Sequence, residues 1–161
     1  MTLNFLILAF VTLERLFELG LARRNTRRLL ERGAVEHGAG HYPLIVALHA
    51  FWLACLWWLA PTPPVDGFWL ALLVLIELAQ LWVLTTLGPR WTTRIIVLPD
   101  EPLVKSGPYR FVNHPNYWVV VGEIAVLPLV FGLWQVSLLF SLLNALILTL
   151  RIRVENRALG R

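Results

Sequence analysis

YWVVVGEIAVLPLVFGLWQVSLLFSLLNALILTL, Tyr117 to Leu150, is apolar throughout except for a few isolated polar residues and a turn at Gly132. Its halves, about Tyr117–Phe131 and Leu133–Leu150, each approach the roughly 20 apolar residues that span a bilayer. With so short a turn between them they must fold back as an antiparallel helical hairpin. Glu123 lies six residues into the first half, and Asn144 six residues before the end of the second. In an antiparallel pair these positions share a depth, so a Glu123–Asn144 contact is expected.

Working outward, three more apolar segments precede the hairpin, at about Thr2–Leu21, Tyr42–Leu59 and Gly67–Leu87. Of the 161 residues 58% are hydrophobic and 15% charged, against roughly 25% charged in a soluble domain. The excess comes in blocks. The reading is an all-α integral membrane bundle of about five helices, a single transmembrane domain over 1–161. The N-terminal segment has no basic leader and no small-residue cleavage site, and acidic Glu14 and Glu18 follow its apolar run. It reads as a retained helix. The single cysteine, Cys55, excludes an internal disulfide and a thiolate metal cluster.

Charge then orients the bundle. The stretches after segments one, three and five hold five, four and four Lys or Arg residues, 13 of the 14 in the chain. The connections on the other side, Ala60–Asp66 and Gly132, hold none. The positive-inside rule places the basic loops and the C-terminus in the cytoplasm and the N-terminus outside. The net charge of +4 reports this topology and not nucleic-acid binding.

Polar residues inside spans are costly and face the bundle. Glu77 sits ten residues from either end of segment three, with Gln80 on the same face. Two readings fit, structural glue and polarity along a substrate channel. Glu14, Arg15 and Glu18 read as interfacial anchors or as an inward cluster. His49 in segment two reads as satisfied by an interhelical hydrogen bond. In the basic linker Ala22–Gly40, Glu36, His37 and His41 are close in sequence, but a metal site needs more ligands in fixed geometry. No metal is expected.

The densest polar run is GPYRFVNHPNY, Gly107–Tyr117, at the entrance to the hairpin. Gly-Pro and His-Pro stiffen it into turn or extended backbone. The hairpin brings it beside the tail RIRVENRALGR, in which Arg151 and Glu155 share a helical face if the helix continues. Tyr109, Arg110, His114, Tyr117, Arg151 and Glu155 can thus line one pocket at the cytoplasmic interface.

GPYRFVNHPNY, the apolar hairpin and R-I-x-x-E together resemble the isoprenylcysteine carboxyl methyltransferase family, over about Leu103–Leu159. The upstream ARRNTRRLL, RGAVEHGAGHYP and VALHAFW resemble a small bacterial branch of it, some members of which are thought to methylate hydroxyls of long-chain phenolic or pyrone lipids. The resemblance implies a multi-pass enzyme of the bacterial plasma membrane that uses S-adenosylmethionine, with the cofactor-binding part at about 88–161. Tyr109, His114, Pro115, Tyr117 and Glu155 would contact the cofactor, and Leu103, Val104 and Lys105 would add to the wall. Arg151 would sit nearer a lipophilic or lipidated acceptor. The chain departs from the family where paired glutamates are common, having Glu155-Asn156, and in stopping at Arg161.

Methyl transfer from a sulfonium is an in-line displacement that needs alignment above all. A carboxylate acceptor needs a cation, for which Arg151 or Arg110 would serve. A hydroxyl acceptor needs a base, for which His114 or Glu155 would serve. Both sets are present. The rival readings are a non-catalytic membrane scaffold or carrier, and a lipid reductase using a nicotinamide cofactor, although no G-x-G-x-x-G loop occurs.

Overall fold

The computed structural model describes residues 3–60, 64–99 and 101–160. Five helices carry the fold: α1 (Leu3–Glu31), α2 (Tyr42–Leu59), α3 (Gly67–Leu87), α4 (Pro115–Val130) and α5 (Trp134–Ala158). Two short strands, β1 (Val35–His37) and β2 (Ile95–Val97), pair antiparallel with Val35 opposite Val97. This small sheet joins the α1–α2 and α3–α4 connections into a cap over one end of the bundle. The apolar IIVL run was visible in the sequence; its pairing partner, Val35–His37, was not, because it carries no alternating pattern.

The spans expected at Tyr42–Leu59 and Gly67–Leu87 form as read. The first and last segments run longer than expected. α1 continues through the basic stretch to Glu31, since nothing between Ala22 and Arg32 breaks a helix before Gly33 turns the chain at φ 90°. α5 continues through Arg151 and Glu155 to Ala158. The outer connection expected at Ala60–Asp66 includes residues 61–63, which lie outside the described residues. Its end is clear: the Asp66 carboxylate caps α3 by accepting from the backbone N–H groups of Phe68 and Trp69. Gly132, at φ 68°, closes the α4–α5 turn.

The bundle buries polar side chains within an apolar core and turns further apolar side chains outward. Phe10, Leu13 and Phe17 of α1, Leu75 and Leu78 of α3, and Leu142 and Leu146 of α5 face outward and are exposed. Asn4, Glu18, Gln80, Glu123, Asn144 and Arg151 are buried. A soluble bundle would reverse this arrangement; a bilayer favours it, and the protein is a helical membrane protein. Three helical stretches, Ala39–Leu59, Gly67–Arg90 and Trp134–Ala158, are long and apolar enough to cross a membrane. α4 is apolar but shorter, and α1 carries Glu14, Arg15 and Glu18 within its length.

Those charges are not surface anchors. Arg15 reaches across the bundle, donating to Glu123 of α4 at 2.6 Å and pairing with Glu18 at 2.8 Å. Gln80 of α3 donates to Glu18 at 2.5 Å. The carboxyls of Glu14, Glu77 and Glu123 lie within 4.8 Å of one another, so Glu77 packs into this cluster. Where a Glu123–Asn144 contact was expected, the Glu123 carboxylate bonds Arg15 and no Glu123–Asn144 hydrogen bond occurs among the described residues; a guanidinium satisfies a buried carboxylate far better than an amide does. The bond of His49 is also not interhelical: its Nδ1 meets the Ile45 carbonyl one turn earlier on α2, at 2.8 Å.

Removing one partner of a buried ion pair leaves an uncompensated charge, at a cost of about 3–5 kcal/mol. Arg15→Leu is therefore expected to lower the unfolding temperature of the detergent-solubilised protein sharply, and Arg15→Leu with Glu123→Leu to recover part of the loss. A single variant as stable as wild type in thermal unfolding would contradict this account of the bundle.

Candidate functional site

The polar loop, the tail and the cap converge on Tyr117. His-Pro starts α4: Pro115 occupies its first turn, where a missing N–H costs nothing. Tyr117 thereby lands in the first turn with its ring facing α5. Its hydroxyl accepts from Arg151 Nε at 2.7 Å and donates to the Glu155 carboxylate. The i, i+4 spacing on the extended α5 puts Arg151 and Glu155 on either side of that hydroxyl. The Arg151 guanidinium also lies 5.4 Å from the Tyr117 ring centroid.

His114 completes the polar wall. Its ring stacks on Tyr117 at 5.3 Å and 15°. Its Nδ1 lies 3.5 Å from Glu155 Oε1, and its Nε2 is 3.0 Å from Asn156 Oδ1. Both ring nitrogens are thus engaged. Asn156 holds the histidine ring in place.

The cap supplies the opposite side. Arg151 Nη2 donates to the Thr93 carbonyl at 2.7 Å, and the Thr93 hydroxyl bonds that of Tyr42 at 3.0 Å. Trp91 Nε1 donates to Asn116 Oδ1 at 3.2 Å, while Asn25 of α1 donates to the Trp91 carbonyl at 2.8 Å. Arg94 bonds both oxygens of Glu36 at 3.1 Å, linking β2 to β1. Tyr109 is seated by the turn Gly107–Arg110. Gly107 has φ 54° and backs onto the Thr86 side chain, so a Cβ there would collide with it. Burial first, and then the negative charge of Glu155, push the Tyr109 phenol above its ordinary value. It stays a neutral hydrogen-bond donor at physiological pH.

Two cavities meet here. A polar cleft of about 120 Å³ has Tyr109, Asn113, His114 and Glu155 on one side and β2 on the other. A larger, mainly apolar cavity of about 280 Å³ lies between the helices, lined from Tyr42 and Thr93 to His49, Asn144 and Thr12. Trp91, Asn116, Tyr117 and Arg151 border both. They form a shared partition between a polar and an apolar compartment.

Of the site residues expected from sequence, Tyr109, His114, Tyr117, Arg151 and Glu155 come together in the polar cleft. Gln80 and Asn144 line the apolar cavity. Leu103, Val104, Lys105, Arg110 and Pro115 do not border either cavity. Arg110 is exposed, its guanidinium 5.3 Å from the Phe111 ring. Glu77 and Glu123 belong to the Arg15 cluster and not to a cavity wall. Trp91, Thr93 and the β2 residues were missed. The run LGPRWTTRI, with its tryptophan between two arginines, was the one signal that could have marked them.

A family model described as "Isoprenylcysteine carboxyl methyltransferase (ICMT) family" matches residues 69–161, a span that contains the loop, the hairpin and the tail. The chain belongs to the isoprenylcysteine carboxyl methyltransferase family. It is similar to "Uncharacterized protein YpbQ" of Bacillus subtilis (strain 168), 35% identical over 96% of this chain and 95% of that protein. It is also similar to an "Uncharacterized protein" of Haemophilus influenzae (strain ATCC 51907 / DSM 11121 / KW20 / Rd), 26% identical over 91% of this chain and 88% of that one. No solved structure matches the chain. Family membership makes this a membrane protein of a methyltransferase family.

The Tyr117 hydroxyl bridges the buried Arg151 and the half-buried Glu155, so its loss should cost about 1–3 kcal/mol. Tyr42→Phe removes only a hydroxyl–hydroxyl bond and should cost about 0.5–1.5 kcal/mol. Chemical unfolding of the two variants is expected to rank them in that order.

Proposed function

We propose that the protein is a membrane-embedded S-adenosylmethionine-dependent O-methyltransferase acting on a lipophilic acceptor. The observation that carries this is the partition of Trp91, Asn116, Tyr117 and Arg151 between a polar cleft and an apolar cavity. Methyl transfer needs a polar nucleoside donor and an acceptor aligned end to end. Two compartments of opposite character that share one wall meet that requirement.

The polar cleft has the chemistry for such a cofactor. The Glu155 carboxylate accepts hydrogen bonds from hydroxyl or amino groups, the Asn113 amide donates and accepts, and Tyr109 and Trp91 offer flat apolar faces. At 120 Å³ the cleft is smaller than the roughly 300–1,000 Å³ of most small-molecule sites. An outward movement of the cap would enlarge it. β2 is suited to that, since only three residue pairs hold it to β1 and its clasp, Arg94–Glu36, is a partly exposed pair of small net value.

Bound there, the cofactor supplies an electrophilic methyl group. Arg151, held by Tyr117 and Thr93, places a buried positive charge at the partition. It would act as counter-ion to an acceptor oxygen that carries or develops negative charge. Glu155 is engaged by both Tyr117 and His114, which favours a binding role for it over proton abstraction. These engagements favour an acidic acceptor, a carboxylate or an acidic hydroxyl, that needs little help in losing its proton. The apolar cavity would exclude water from the reacting oxygen. The charge distribution supports a cytoplasmic site in a bacterial plasma membrane, with the N-terminus outside.

Saturation with S-adenosylhomocysteine at a hundredfold excess over Kd should stabilise the protein by about 2.7 kcal/mol. Glu155→Ala and His114→Ala are expected to lose that thermal shift. No shift in folded wild type, or a shift produced by a nicotinamide nucleotide instead, would move the scaffold or reductase reading to the front. Once an acceptor is found, a rate that rises with pH through an ionisation identifies a hydroxyl, and a flat profile a carboxylate.

A further inference from the structure

The apolar cavity has a polar floor that a plain hydrocarbon chain would leave unsatisfied. Asn144 of α5 is 3% exposed and borders the cavity, and its side-chain amide makes no hydrogen bond among the described residues. An amide held away from water without a partner is costly, so its presence calls for one. His49 of α2 borders the same space. Its Nδ1 must carry the proton that meets the Ile45 carbonyl, so in the neutral ring Nε2 is a lone-pair acceptor, again unbonded among the described residues. Gln80 and Trp52 add a carbonyl oxygen and an indole N–H, both buried and unpaired.

Helix geometry gives the depth of this floor. Asn144 lies seven residues from Arg151 on α5, and His49 seven residues from Tyr42 on α2. Two turns at 1.5 Å per residue are about 10 Å. Tyr42 and Arg151 are tied to the same residue, Thr93, so the two helices start level. Asn144 and His49 each stand about 10 Å along their helices from the residue that meets Thr93. The wall between is apolar, formed by Ile45, Val46, Ile147 and Leu148.

From this spacing we infer a second recognition subsite: the acceptor is a lipophile bearing a second hydrogen-bonding oxygen about 10 Å from the one at Arg151, read by Asn144 and His49. A hydroxyl fits both groups, since it donates to His49 Nε2 while accepting from the Asn144 amide. The methyl-accepting group is then selected at the partition, and chain identity at the floor. The inference deepens the acceptor side of the proposed function and rests on that reading only for the reaction; the binding it describes is tested separately.

The test uses full-length protein in detergent and two probes of equal chain length: decanol, and the same alcohol carrying a second hydroxyl about 10 Å along the chain. Titration by thermal shift is expected to show roughly tenfold tighter binding of the two-hydroxyl probe by wild type, as one or two satisfied hydrogen bonds imply. Asn144→Leu with His49→Phe should bring the ratio to about one, while His49→Gln, which keeps a polar group at that position, should retain part of it. Asn144→Leu alone removes an unpaired group, so it should fold at least as well as wild type and reduce the preference. A wild-type ratio near one would overturn the subsite and leave water as the partner of the floor. A preference that survives the double variant would overturn the assignment to these residues. Stabilisation by S-adenosylhomocysteine, measured in parallel, separates the two readings: its absence sinks the methyltransferase proposal and leaves the subsite standing on the alcohol ratio.

Discussion

The Arg151 guanidinium is the point on which the rest of the site depends. Its Nε donates to Tyr117 of α4 and its Nη2 to the Thr93 carbonyl in the cap. One side chain thus joins the C-terminal hairpin to the α3–α4 connection. A cation buried at the edge of an apolar medium must be fully satisfied, and the groups that satisfy Arg151 are the ones that border the two cavities. Glu155 reaches the same network through the Tyr117 hydroxyl. The site is assembled by the need to neutralise and hydrogen-bond these two residues.

A second ionic centre, Arg15 with Glu18 and Glu123, does the same for the middle of the bundle. It ties α1 to α4, while Gln80 brings in α3. Between helices in lipid the hydrophobic effect contributes little to association, so packing and hydrogen bonds carry it. The two centres leave the apolar cavity between them, with Arg151 at its head and Arg15 and Glu18 on the α1 wall. Function and stability therefore use the same device at two depths. In the upper centre the polar groups face a cleft; in the lower one most are spent on each other.

The cap closes one side of the polar cleft. Its strands are short, and its ion pairs, Arg94–Glu36 and Arg90–Glu101, are partly exposed. Such pairs hold geometry without adding much stability. Asn25 ties the Trp91 end of the same segment to α1.

Composition, segment lengths and the positions of glycine and proline determined that this is a helical membrane bundle with a C-terminal hairpin. Those features follow from local chain preference and from the bilayer's demand for apolar surface. The motif GPYRFVNHPNY and the R-I-x-x-E tail also carried the core of the polar cleft, because both elements lie at the open end of one helical hairpin. What only the tertiary structure decided was partner choice at long range. Glu123 could have met Asn144 by depth, but Arg15, 108 residues away in sequence, takes it, since charge pairing outweighs register. Val35–His37 became a strand because Ile95–Val97 offered an edge. Thr93 and Trp91 entered the site through a fold-back that no periodicity announces. Asn144 was left unpaired beside a cavity whose walls come from all five helices, and a space of that kind belongs to no single stretch of sequence.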